Sequence, residues 1–242
     1  LQLIARLLQE NAQEHIPGLP PFQGGLAGYI GYDFGRRLEP QAKIPDFDPI
    51  CPDAILHHYD SVAGFDHMQE RAWIVSTDAA EADRLEALLQ RKPRDLGSHL
   101  IPGWQSNFTR EAYEAAIART VEYILAGDIF QANITQMFSA PIPRGFDALA
   151  FYRVLRLRNP STFAAFLDYG DIQVASSSPE RLLSCVGGKV EARPIKGTRR
   201  RDSDPSRDAA LIAELASSRK DRAENVMIVD LLRNDLSRVS KP

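Results

Sequence analysis

Apolar positions along this chain change period several times, and each change marks an element. Leu3, Ile4, Leu7 and Leu8 recur at helical spacing, so the chain opens inside an amphipathic helix. Around Gly24, Gly25, Gly28 and Gly31 the pattern turns aromatic. Tyr29, Ile30 and Tyr32 predict a tightly packed strand there, because the helix that must follow a nucleotide-binding glycine fingerprint is missing. A proline-rich crossing (Pro40, Pro45, Pro49, Pro52) leads to strands near 54–65 and 72–76 and a helix over 81–91. Residues 92–107, with Pro93, Gly97, Pro102 and Gly103, form a connection. The next helix has well-marked ends: Thr109 caps it, Phe108 staples to Tyr113, Ile117, Val121 and Ile124 follow one face, and Gly127 stops it. Phe130, Ala132, Ile134, Gln136 and Phe138 then alternate, predicting a strand over 130–138. Further strands are expected at 162–169 and 172–177, and helices at 206–218 and 221–238, the latter capped by Ser218 or Asp221. Strands joined by hairpins, with helices outside, predict an α+β fold of antiparallel sheets. Two regions result, 1–100 and 104–242.

The most informative local pattern is a hairpin. Two β-rich stretches, 182–186 and 189–195, flank the Gly187-Gly188 turn. With the turn centred on those glycines, Glu180 falls opposite Ile195 and beside Lys196, and opposed side chains have Cβ atoms roughly 5 Å apart. On most hairpins such a pair is a plain salt bridge. Here Lys196 lies two residues after Pro194, which stiffens the strand end, and just before Gly197, which permits close approach. An ordinary lysine, with pKa about 10.4, is neutral in only about one copy in 2500 at pH 7, so a nucleophilic role requires burial or a nearby dication. The Glu180 anion pushes the other way, which predicts a coupled pair sharing a proton.

The dication would come from the helix that follows. Apart from Asp230 the run 226–232 is apolar on almost every face, which predicts burial against a sheet and places Glu224 in a mostly dry setting. Asp235 lies about 16 Å further along, too far to share an ion with it. Magnesium commonly binds through one or two carboxylates with substrate oxygens completing its shell, so a single Glu224 ligand is permissible.

Four blocks in order carry a family resemblance: Gly127-Asp128-Ile129-Phe130-Gln131-Ala132-Asn133, Ser177-Ser178-Pro179-Glu180-Arg181, Pro194-Ile195-Lys196-Gly197-Thr198, and residues 220–235. From Pro21 to Arg238 the chain resembles the chorismate-utilising enzymes, most of all the component I chains of aminodeoxychorismate synthases. The resemblance implies the α+β fold of that family, antiparallel sheets packed as a sandwich with helices outside. It also implies that Lys196 attacks ring C2 as the 4-hydroxyl leaves, that ammonia then enters at C4, and that Glu180 acts as the acid and base. Glu224 would help hold Mg2+, and Thr198, Gly197 and Gln131 would line the substrate site. Within the family, Lys at position 196 with Gln at 131 selects aminodeoxychorismate synthesis over the anthranilate and isochorismate activities. An anthranilate synthase is the alternative, and a non-catalytic chain binding a partner or aromatic metabolite is a third. Members of the family continue well over a hundred residues further, to a second magnesium carboxylate and the groups that bind the substrate carboxylates. The chain is therefore expected to be a piece open at both ends and inactive alone.

Composition narrows the remaining classes. With 242 residues, 44% hydrophobic and 25% charged, the chain is long enough for a sizeable core. A net charge of −3 argues against a polyanion partner. Arg199-Arg200-Arg201 are followed by Asp202, Asp204 and Asp208 with no interleaved aromatic residue, so they read as a solvated loop and not a nucleic-acid patch. The absence of an apolar run of about 18 residues or a leader pattern predicts a cytoplasmic protein without membrane contact. Neither Cys51 nor Cys185 has the surroundings of a glutaminase nucleophile. By the resemblance, ammonia would come from a separate glutamine amidotransferase subunit. His57 and His58 point to opposite faces of a strand, so they do not form a metal cluster with His67. Asn159-Pro160-Ser161 resembles a block that touches bound tryptophan in some relatives, while its plain reading is a helix-to-strand turn.

Overall fold

A computed structural model describes residues 1–39 and 51–241. The chain divides into two compact units, residues 1–95 and 96–242. The proline-rich crossing lies outside the described residues except for Pro52.

In the first unit, helix α1 (Gln2–Glu10) precedes strand β1 (Gly25–Ile30), a single 3-10 turn over Tyr32–Phe34 and the short helix α2 (Gly35–Leu38). Strand β1 pairs antiparallel with β2 (Ala54–Tyr59), from Gly25 opposite Tyr59 to Ile30 opposite Ala54. Gly28 explains how close the two strands come: a Cβ at this position would stand 2.0 Å from the Ile55 carbonyl oxygen. Tyr32 departs from the expectation of a packed strand. It lies in the 3-10 turn, fully exposed, because the ladder ends at Ile30. Strands β3 (Ser61–Asp66) and β4 (Arg71–Ser76) form a hairpin whose turn is closed by Asp66, which accepts the backbone N–H groups of Met68 and Gln69 at 2.8 and 2.9 Å. Helix α3 (Ala79–Leu89) lies against that hairpin, and Asp78 caps it by accepting the Ala80 N–H at 2.8 Å.

The second unit opens with β5 (Gln105–Ser106) and helix α4 (Arg110–Ala126). Its ends match the sequence. Thr109 Oγ1 accepts the Ala112 N–H at 3.1 Å, the Phe108 and Tyr113 rings meet edge to face with centroids 5.7 Å apart, and Gly127 takes the left-handed conformation at φ +83°. The strand predicted over 130–138 is a correction. Only β6 (Phe138–Ser139) forms, paired with β5. The residues before it are held by side chains instead: Tyr113 donates to the Ile134 carbonyl at 3.0 Å, and Asn107 Oδ1 accepts the Met137 N–H at 2.8 Å. Asn107 also donates its backbone N–H to the Met137 carbonyl at 3.0 Å, so the anchors come from residues that alternation alone does not reveal.

Helix α5 (Ala148–Arg158) follows and ends at Asn159, as the helix-to-strand turn read at Asn159-Pro160-Ser161 requires. Asp147 caps it by accepting the Leu149 and Ala150 N–H groups. It packs on the hairpin of β7 (Phe163–Asp168) and β8 (Gln173–Ser178), with Tyr152 and Phe166 ring centroids 5.4 Å apart. Strands β9 (Ser184–Val186) and β10 (Lys189–Glu191) make the Gly-Gly hairpin, and helices α6 (Pro205–Ser217) and α7 (Arg219–Ser237) close the unit. Ser218, and not Asp221, caps α7.

The architecture is α+β with antiparallel pairing throughout the named strands, which pair two at a time. The sizeable core is the second correction. Among the described residues Ala150, 6% exposed, is the one buried hydrophobic residue. Strand pairs and helices each leave apolar side chains open, as Phe65 on β3, Leu125 on α4 and Val226 on α7 show. No described helix is long and apolar enough to cross a membrane.

Gly28→Ala is expected to destabilise the β1–β2 ribbon by about 1–3 kcal/mol through overpacking. A lowered urea midpoint, with amide exchange accelerated at residues 25–30 and 54–59, would show it; an unchanged midpoint would mean that the strands separate without cost.

Candidate active site

The acid and the amine come together as the hairpin register predicts. Strand β8 ends at Ser178, whose hydroxyl donates to the Glu180 carbonyl at 3.0 Å and so turns the chain. The β9–β10 ladder stops at Ser184 opposite Glu191, but the same register continued outward sets Glu180 opposite Ile195. There Glu180 Oε1 accepts the Ile195 backbone N–H at 2.7 Å, replacing the missing ladder bond with a side chain. The same oxygen lies 3.8 Å from Lys196 Nζ, which itself donates to the Ile195 carbonyl at 2.8 Å. The Lys196 side chain is 20% exposed and that of Glu180 37%.

Arg181, next to Glu180, is turned elsewhere. Its guanidinium donates to Glu191 Oε1 at 2.6 Å and lies over the Phe163 ring, while Arg193 binds the other Glu191 oxygen at 2.8 Å. The Arg193 hydrogen bond, with Arg181 adding, holds the Glu191 carboxyl below its usual value. This doubly bound carboxylate fastens the turn at 179–181 to β10, and so fixes where Glu180 begins.

Helix α7 supplies the third element. Its half-covered residues are Asp221, Glu224, Asn225, Ile228, Leu232 and Leu236, a single stripe at helical spacing. The burial against a sheet expected for 226–232 is corrected to that one stripe: Val226, Met227, Val229 and Leu231 are exposed. Ile228 and Leu232 join Ser178, Glu180, Arg181 and Pro194 around a cleft of about 420 Å³. A larger groove of about 550 Å³ lies further down α7, beside Ala192 and Val229, and no carboxylate lines it.

The placement of Glu224 follows from two fixed points. Pro194 shares the cleft with Ile228, and Gly197 abuts Asp221, where a Cβ on the glycine would stand 2.8 Å from the aspartate Cγ. From 194 to 197 an extended chain advances about 10 Å, and from 228 back to 221 a helix advances about 10 Å. The segment carrying Lys196 therefore runs alongside the first two turns of α7, within which Glu224 is half-covered on the same stripe as Asp221 and Ile228. Among the described residues Glu224 is in no ion pair, and the neighbouring Asn225 Oδ1 is buried without a hydrogen-bond partner. Two oxygen donors of this kind suit a hard cation such as magnesium, although the described residues contain no group of three metal-ligating side chains.

The structure does not bring the other predicted residues to this point. Gln131 is exposed in the irregular stretch after α4. The Thr198 side chain is also exposed, while its carbonyl accepts Arg199 Nη1 at 2.9 Å. His58 is paired with Asp60 at 3.1 Å and takes no part.

The arginine run is the feature the sequence reading missed. Arg199 Nε binds Glu214 on α6 at 2.6 Å and its Nη2 binds Asp221 on α7 at 3.2 Å. Arg201 is bidentate on Asp208, both bonds 2.7 Å. Two of the three arginines are thus tied to helices and not merely solvated. Asp208 lies seven residues after Arg201, but Glu214 and Asp221 are too distant in sequence to identify before the helices are placed.

The family model described as chorismate binding enzyme matches residues 2–242. Anthranilate synthase component 1 of Thermus thermophilus is 39% identical over 94% of this chain and 51% of its own length. Aminodeoxychorismate synthase component 1 of Escherichia coli is 40% identical over 91% of this chain and 48% of its own length. The crystal structure of anthranilate synthase component I from Streptococcus pneumoniae superposes with a TM-score of 0.80 at 30% identity, covering 97% of this chain and 55% of that one. The chain spans about half the length of the curated relatives it matches. With a family match along almost every residue and a shared fold at 30% identity, this chain belongs to the chorismate binding enzyme family.

Proposed function

We propose that this chain is the part of an aminodeoxychorismate synthase component that carries the nucleophile, and that the reaction converts chorismate and ammonia to 4-amino-4-deoxychorismate and water. The observation that carries this reading is Lys196 Nζ 3.8 Å from Glu180 Oε1, with Glu180 anchored on the Ile195 N–H. In this reading Glu180 takes a proton from the Lys196 ammonium and returns it to the departing 4-hydroxyl as the amine attacks ring C2. Ammonia then attacks C4, the C2–N bond breaks, and Glu180 relays a proton from the incoming nitrogen to the leaving lysine. Two displacements of moderate difficulty replace one hard one. The carboxylate is suited to the relay because the backbone N–H holds it while one turn of side chain brings it to the amine.

Glu224, with Asn225 beside it, would hold magnesium, which when bound would neutralise a substrate carboxylate. The ammonia would come from a glutamine amidotransferase partner, since Cys51 and Cys185 are both exposed and neither has the setting of a glutaminase nucleophile. An anthranilate synthase is the second reading, favoured by relatives of that name at the same identity. The lysine supports the first reading, because aromatisation with loss of pyruvate needs no covalent amine.

Incubation of the protein expressed from its complete gene with chorismate, magnesium and an ammonium salt is expected to give 4-amino-4-deoxychorismate by mass. Lys196→Ala should abolish it, and Glu180→Gln, which keeps an acceptor for the Ile195 N–H, should lower kcat about 10²- to 10⁴-fold. Anthranilate with pyruvate from the unaltered protein would overturn the assignment in favour of the second reading. Separately, Glu224→Gln should raise the magnesium concentration needed for half-maximal turnover several-fold; an unchanged magnesium dependence would remove Glu224 from the metal.

A further inference from the structure

Of the two points where the lysine strand meets α7, the one at Asp221 carries the more specific contacts. Gly197 has φ +78°, a conformation that disfavours side chains, and a Cβ on it would lie 2.8 Å from Asp221 Cγ and 2.8 Å from Leu215 Cδ1. The backbone immediately after Lys196 thus rests directly on the α6–α7 junction. Arg199 then ties three pieces together: Glu214 of α6, Asp221 of α7, and the Thr198 carbonyl of the loop itself. Asp221 is only 16% exposed and Arg199 28%. Asp221 occupies the third position of α7, where an acidic side chain ordinarily reaches back to the cap. Here it keeps that contact with Ser218, its own N–H going to Ser218 Oγ at 3.3 Å, and also meets the guanidinium; the Ser218 hydrogen bond first, and then Arg199, hold its carboxyl below the usual value.

The position of this junction relative to the site matters. Lys196 is one residue before Gly197, and Glu224 is about one helical turn after Asp221 on the same stripe. Any shift at the junction displaces the amine relative to the helix that carries Glu224.

We propose that Asp221 and Arg199, closing on Gly197, are positioning residues that set the register of Lys196 against α7. The proposal builds on the function assigned above, but one of its tests does not. The second arginine hook supplies the control. Arg201 and Asp208 have the same chemistry, Asp208 is comparably covered at 14% exposed, and neither meets Gly197. Asp221→Asn keeps the shape and the backbone bond to Ser218 while weakening the grip on Arg199, and Asp208→Asn does the same at the other hook.

Two readouts are compared in the protein expressed from its complete gene, at matched loss of thermal stability. The first is the rate at which trinitrobenzenesulfonate modifies Lys196, followed by peptide mass. Asp221→Asn is expected to raise it several-fold, because the amine leaves its covered position, and Asp208→Asn to leave it unchanged. The second is turnover of chorismate. Asp221→Asn should lower kcat about 10- to 100-fold with little change in KM, the cost of displacing a reacting group by about 1 Å. Equal labelling rates in the two variants would overturn the proposal and reduce Asp221 to a stabilising contact. If the unaltered protein fails to turn over chorismate, the functional reading falls, and the labelling comparison alone decides the positioning role.

Discussion

The side chain of Glu180 on the Ile195 N–H is the contact on which the site depends. The β9–β10 ladder ends too early to carry Lys196, and without a substitute the strand beyond Glu191 would have no partner on that side. One carboxylate supplies the hydrogen bond and also faces the amine. A structural bond and a chemical group are therefore the same atom, so the pair cannot drift apart while the fold is intact. Glu191, held by Arg181 and Arg193, performs the same service one step earlier.

From that contact the second half of the chain becomes intelligible as two rows laid side by side. One row is the extended segment from Pro194 to Arg199, the other is the stripe of α7 from Asp221 to Leu236. They meet at Ile228 and at Asp221, and strand and helix advance by about the same 10 Å between those points. The chemistry asked of these residues, an amine, an acid and an oxygen donor for a cation, needs such alignment more than it needs depth. The site is accordingly half-covered, as is most of the chain, with apolar faces left open on α4 and α7.

Local rules were legible wherever one residue decides one bond. Thr109, Gly127 and Ser218 cap their helices through local hydrogen bonds, and the Gly187-Gly188 turn sets a register that reaches as far as Glu180. Where a segment's backbone is satisfied from a distance the pattern misled. The alternation over 130–138 looks like a strand, yet Asn107 before α4 and Tyr113 within it hold it as an irregular stretch. Helix α5 was legible only from its end, the helix-to-strand turn at Asn159-Pro160-Ser161, because Arg153, Arg156 and Arg158 interrupt its apolar run.

By itself the sequence determined the family, the α+β pattern and the meeting of Glu180 with Lys196, since period, turn chemistry and hairpin register are all local properties of the chain. Tertiary structure alone decided that Arg199 spans α6 and α7, that Gly197 must lack a side chain because Asp221 is there, and that Glu224 is half-covered while Val226 and Leu231 are exposed. The reason is physical. These contacts join residues 15 and 22 positions apart through helix packing, and no repeat or spacing in the sequence encodes how one helix is set against another.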